Sequence, residues 1–171
     1  MISSQSQLLG DTGIAIQKAL DNTTEIALKE LIRLIDAEVY SYDATWTNGS
    51  SENGFGRTKE WRDTWDRTKA TLATVGNTNE AKAQIGQMIE LQWHQPFSHG
   101  SIIEGEPISS TNLNTIINEG LRNTGINFPA MAPRPFWSDF EKWCENNLVS
   151  VFKSECSKQG LNVGATLSYS L

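Results

Sequence analysis

No run of lysine or arginine forms a basic stripe in this chain, and no apolar stretch reaches the roughly 18 residues of a membrane span. The net charge is −6, with 20 acidic against 14 basic residues, which argues against binding along a phosphate backbone. The N-terminal Met1-Ile2-Ser3-Ser4-Gln5-Ser6-Gln7 has neither the charged nor the apolar region of a secretion signal. Only two cysteines and two histidines occur. Cys144 and Cys156 fall in one expected helix, about 18 Å apart along its axis, too far to bridge each other. Reduced thiols and an intracellular folding compartment are the expectation. The chain also lacks a Gly-x-Ser-x-Gly elbow, a Gly-x-x-x-x-Gly-Lys phosphate loop and a Gly-x-Gly-x-x-Gly fingerprint, so acyl transfer, nucleotide hydrolysis and dinucleotide chemistry find no support. No internal repeat is present.

What is present suits one folded α+β domain over residues 1–171. Hydrophobic residues make up 38%, including six tryptophans. An apolar stripe, Ile26, Ala27, Leu31, Leu34, Ile35 and Val39, predicts an amphipathic helix. The preceding Asp21-Asn22-Thr23-Thr24 is rich in capping residues: either the helix extends back through Thr12–Leu20, or this cluster breaks it in two. Residues 41–56 and 94–108 have the composition of long loops. Between them, β-branched residues from Trp65 to Val75, the turn Gly76-Asn77-Thr78-Asn79 and an alternation from Ala81 to Trp93 predict a β-hairpin over about 65–93.

Ser109 or Ser110 caps a short predicted helix with Leu113, Ile116, Ile117 and Leu121 on one face. After a proline-rich extended segment, Ser138-Asp139-Phe140-Glu141 has the form of a capping box. It opens a long helix with Phe140, Trp143, Cys144, Leu148, Val151 and Phe152 as its buried stripe, and Gly160 stands where a left-handed cap is wanted. Strict alternation from Leu161 to Leu171 predicts a final strand. The small, mostly antiparallel sheet is expected to pack against the N-terminal and the long C-terminal helix.

Few residues invite chemistry. His94, His99, Glu104 and Glu106 share one loop and could converge on a metal, but their spacing matches no ligand pattern and exposed loop residues are the better account. Glu104 and Glu106 also form the kind of carboxylate pair a glycosidase uses, a pairing that any acidic protein offers. Trp61 and Trp65 share a face if their segment is helical, and could stack on sugars or bases; core packing is the simpler role, as it is for Phe136 and Trp137.

Two segments carry a resemblance. Phe55-Gly56-Arg57-Thr58-Lys59-Glu60-Trp61-Arg62-Asp63-Thr64-Trp65 resembles the aromatic-x-Arg-Thr-Gly-x-Leu-x-x-Ser segment of small tail-component proteins of long-tailed bacteriophages, with Lys59 in place of the glycine. Pro133-Arg134-Pro135-Phe136-Trp137 is similar to that family's Arg-Pro-Phe segment, and the order of elements also matches. The resemblance implies a tail-terminator-like neck or tail-completion protein that forms a ring, six-fold in the family, and joins the tail tube to the head connector. It implies partners (further copies of itself, the tail tube protein, the head–tail connector proteins) and DNA only in passage through a channel. It implies no catalysis, no cofactor, no metal and no membrane, and a place in the virion after assembly in the host cytoplasm. Arg57, Trp61, Trp65, Arg134, Phe136 and Trp137 are its structural or interface candidates. A head-closure or adaptor protein of the same virion is the alternative, and a small glycan-acting hydrolase a more distant one.

Overall fold

A computed structural model of the chain describes residues 5–41, 60–88, 117–119 and 133–164. These belong to two compact units: Met1–Glu30, Asp66–Gly86 and Phe140–Leu171 form the first, Leu31–Trp65 and Gln87–Asp139 the second. Among the described residues the secondary structure is α+β, with two long helices and short antiparallel strands. Among the described residues no helix is long and apolar enough to cross a membrane.

Helix α1 runs unbroken over Gln5–Ile35 and ends in a π-turn, Asp36–Tyr40. Its buried residues include Ala19, Thr23, Ala27, Leu31, Ile35 and Val39, one in every four, with Leu34 buried beside Ile35. The Asp21–Thr24 cluster therefore does not break the helix. Each of its polar side chains has a partner: the Thr23 hydroxyl donates to the Ala19 carbonyl at 2.7 Å, the Thr24 hydroxyl to Leu20 at 3.0 Å, and Asp21 and Asn22 reach other segments.

The predicted hairpin is present but subdivided. Strands β1 (Trp65–Arg67) and β4 (Ile85–Gln87) pair, as do β2 (Thr71–Val75) and β3 (Thr78–Lys82). Gly76 takes φ +62° in the turn between β2 and β3, a conformation glycine adopts without steric cost. The registers of the two pairs disagree by one residue. Thr68 donates to the Gln84 carbonyl, whereas Thr71 lies opposite Lys82: three steps along one strand meet two along the other. That is a bulge, with one residue in excess near Ala70. Helix α1 supplies what the bulge lacks. The Ala70 N–H donates to Asp21 Oδ1 at 2.6 Å and the Ala70 carbonyl accepts from Gln17 Nε2 at 2.6 Å, so the buried Ala70 backbone has both its partners.

The far part of the hairpin lies on α1 at Gly13. A Cβ there would come within 2.8 Å of Leu72 Cδ2 and 3.1 Å of the Asn79 amide. That amide donates to the Leu9 carbonyl at 2.8 Å and accepts from the Thr74 hydroxyl at 2.8 Å. The expected strand over 81–93 is corrected: β3 begins at Thr78, β4 ends at Gln87, and residues 89–93 lie outside the described residues. The alternation itself is real, with Ala81, Ala83 and Ile85 half-buried and Lys82 and Gln84 exposed.

Helix α3 spans Phe136–Lys158 and starts two residues before the Ser138 capping box. Asp139 N–H already bonds to the Pro135 carbonyl at 2.9 Å, and the Trp137 N–H donates to Asn118 Oδ1 at 3.3 Å. An asparagine from residues 117–119, which are helical, thus fills the role the sequence assigned to Ser138. Phe140, Cys144, Glu155 and Cys156 are buried; Trp143, Leu148, Val151 and Phe152 are half-buried. Both cysteines are free thiols. At the other end Gly160 takes φ +78°, with Leu161 N–H closing on the Cys156 carbonyl at 2.9 Å, a Schellman cap. That closure spends the Leu161 amide, and residues 161–164 form no strand; the rest of the expected C-terminal strand lies outside the described residues.

Within the first unit, α1 and α3 are joined by a partly buried polar contact. Glu155 is 3% exposed, accepts from Asn22 Nδ2 at 3.0 Å and pairs with Lys158 at 2.5 Å. The bond from Lys158, then that from Asn22, hold its carboxyl below the ordinary carboxylate value against the opposing effect of burial.

Candidate functional site

The second unit gathers most of the residues that the sequence singled out. Pro133 and Pro135 restrict the backbone on either side of Arg134. The Arg134 N–H donates to the Ile117 carbonyl at 2.9 Å, and its guanidinium Nη1 donates to the Val39 carbonyl at 2.8 Å. Val39 lies in the π-turn that ends α1, where the helix dipole favours a cation. Two residues after Arg134, Phe136 is 1% exposed and starts α3. Its ring meets Trp65 edge-on at 6.3 Å, while Trp137 stacks on Trp65 at 5.6 Å with the planes 27° apart.

A second arginine fastens the same π-turn. Arg62, on helix α2 (Glu60–Asp63), places Nη1 3.2 Å from both carboxylate oxygens of Asp36 and its Nε 2.8 Å from Asp63. The bond to Asp63, then that to Asp36, raises its pKa further above the usual arginine value despite partial burial. Beside it, Thr64 is buried, its hydroxyl accepting from Gln87 Nε2 at 2.9 Å and its carbonyl from the Met88 N–H at 2.9 Å.

Of the sequence candidates, Trp65, Phe136 and Trp137 come together, and Arg134 adjoins them through the chain. Trp61 falls on α2, but its side chain lies outside the described residues, as does Arg57 entirely. His94, His99, Glu104 and Glu106 also lie outside them, as do the loops 41–56, Ser41 excepted, and 94–108. Sequence reasoning passed over Arg62 with Asp36 because the pair is separated by 26 residues and Arg62, although inside the Phe55–Trp65 segment, is not one of the positions which that resemblance singles out.

Among the described residues no three histidine, cysteine or acidic side chains converge as a metal site. The Cys144 thiol is pushed up to about 11 by burial and by the charge of Glu141, and burial likewise raises Cys156, so neither is a ready nucleophile. In the first unit, Arg67 bridges Asp21 and Glu25 at 3.2 Å each, and Lys29 pairs with Glu25 at 2.7 Å. The Lys29 bond is the main reason that Glu25 sits below the ordinary carboxylate value. Comparison with protein-family models, with curated proteins and with solved structures finds no match to this chain.

Proposed function

We propose that this chain is a structural component of a bacteriophage neck or tail, a tail-terminator or tail-completion protein that closes into a ring of like copies and joins the tail tube to the head connector. The observation that carries the proposal is the use made of the Arg-Pro-Phe segment. Arg134 is tied through backbone and guanidinium, Phe136 is buried, and Trp137 stacks on Trp65. These residues serve internal rigidity, which a subunit held between rings needs, because flexible contacts lose binding free energy on ordering. The element order of helix, Arg-Thr segment, strands, Arg-Pro-Phe segment and long helix supports the same reading. Its partners in this reading are further copies of itself, probed as a head-to-tail ring, then the tail tube and connector proteins, with DNA only in passage. No catalytic step belongs to it.

The test is a density map of the tailed particle to which the chain belongs, with mass spectrometry of the purified particle. The expected result is a closed ring of copies at the head-proximal end of the tail. A particle without the chain in its neck and tail overturns the proposal. A ring at the head-closure position keeps the virion role and overturns the tail-terminator assignment.

A further inference from the structure

Buried residues of α1 recur every four residues from Ala19 to Val39, with Leu34 buried beside Ile35. Each residue of an α-helix turns about 100°, so such a stripe drifts about 40° around the helix at every step. By Ile35 the stripe has moved well around the cylinder. The π-turn Asp36–Tyr40 is wound more widely, with i→i+5 bonds, and turns less per residue. It swings Val39 back toward the buried side, where it is 7% exposed. π-turns are rare and need a reason to persist. Here two arginines grip the turn: Arg62 holds the Asp36 carboxylate at its first residue, and Arg134 holds the Val39 carbonyl near its last. The backbone enters and leaves the turn in ordinary right-handed helical conformation at Ile35 and Ser41.

We infer that the π-turn is a two-state joint, wound π while Arg134 engages the Val39 carbonyl and relaxing to α winding when that contact is released. Switching changes by one residue the register in which the chain leaves α1 at Ser41, a rotation of about 100°. The 133–136 strap, anchored to Ile117 and by the buried Phe136, is the lever: a contact that displaces it lets go of the carbonyl and rewinds the joint. The inference stands whether or not the chain serves in a virion.

The experiment is backbone hydrogen exchange on the full chain, resolved over residues 19–41. Arg134→Gln is expected to speed exchange at 36–41 by about tenfold or more, since a charged hydrogen bond is lost, and to leave 19–27 unchanged. Arg134→Lys, which keeps the charge and one donor, is expected to restore part of the protection. Deleting the exposed Ala37 removes the extra residue and locks the turn in α winding. In that background Arg134→Gln should add nothing, a coupling that a simple stability role would not produce. Unchanged exchange in Arg134→Gln overturns the inference even if the deletion fails to fold. Equal effects of Arg134→Gln with and without the deletion overturn it as well.

Discussion

Two glycines of α1 give a test of the hairpin's seat that carries its own control. Gly10 and Gly13 both lie inside the helix, where alanine is favoured over glycine by about 0.8–1.0 kcal/mol. At Gly10 an added Cβ meets nothing within 4 Å, so Gly10→Ala should gain that amount. At Gly13 the same methyl lands 2.8 Å from Leu72 Cδ2 and 3.1 Å from the Asn79 amide. Leu72 must leave its rotamer or Asn79 must loosen its bonds to Leu9 and Thr74, an overpacking cost of about 1–3 kcal/mol. The net change for Gly13→Ala is then a loss of up to about 2 kcal/mol. The two variants should differ by about 2 kcal/mol, or roughly 4–8 °C in Tm for a chain of this length. Thermal and urea unfolding followed by circular dichroism would read the gap. Adding Leu72→Ala to Gly13→Ala should recover part of the loss as a favourable coupling. If Gly13→Ala proves as stabilising as Gly10→Ala, the hairpin does not rest on that surface and the account of the first unit fails.

Asp21→Ala strands the buried Ala70 N–H and should cost about 2–3 kcal/mol in urea unfolding, whereas Asp21→Asn, which keeps an acceptor oxygen, should cost well under that; equal losses would remove Asp21 from the bulge. Glu155 has its folded pKa below the ordinary 4.5, so its stabilisation is present above about pH 4.5 and is lost as pH falls through the lower folded value. Unfolding curves of Glu155→Gln should therefore lose part of the wild-type pH dependence below pH 4.5, and parallel profiles for the two proteins would contradict it. Phe140→Ala should cost about 3–5 kcal/mol, and the half-buried Trp143→Ala distinctly less, by the same denaturation assay; the reverse order would misplace the core of α3.

Local patterns foretold what local forces decide. The stripe from Ala27 to Val39 identified α1, Gly76 marked the hairpin turn, and Gly160 marked the end of α3, each because periodicity or positive φ belongs to neighbouring residues. Features set by distant partners stayed hidden. Asp21-Asn22-Thr23-Thr24 has the composition of a cap; what keeps it helical includes Ala70 and Glu155, 49 and 133 residues away from Asp21 and Asn22. The bulge is invisible in the alternation of β3 and β4, because the side chains that complete it sit on α1. The start of α3 moved because Asn118 satisfies the Trp137 N–H. At the candidate site, the aromatic character of Trp65, Phe136 and Trp137 was plain, while the grip of Arg62 and Arg134 on one π-turn depends on a winding that no residue type announces.

The contact between Asn22 and Glu155 also sets a clock. Ribosomes add roughly 5–20 residues per second, so the 133 residues between the two partners take roughly 7–27 s to make. Throughout that interval the N-terminal helix is already synthesised, with Thr23 and Asn22 still lacking the surroundings that bury the one and engage the other. Helices form in about a microsecond, so α1 can wind and unwind many times before its counterpart emerges. The first unit can therefore close only after Glu155 has left the ribosome, and until then the N-terminal part of α1 waits for its partner from α3.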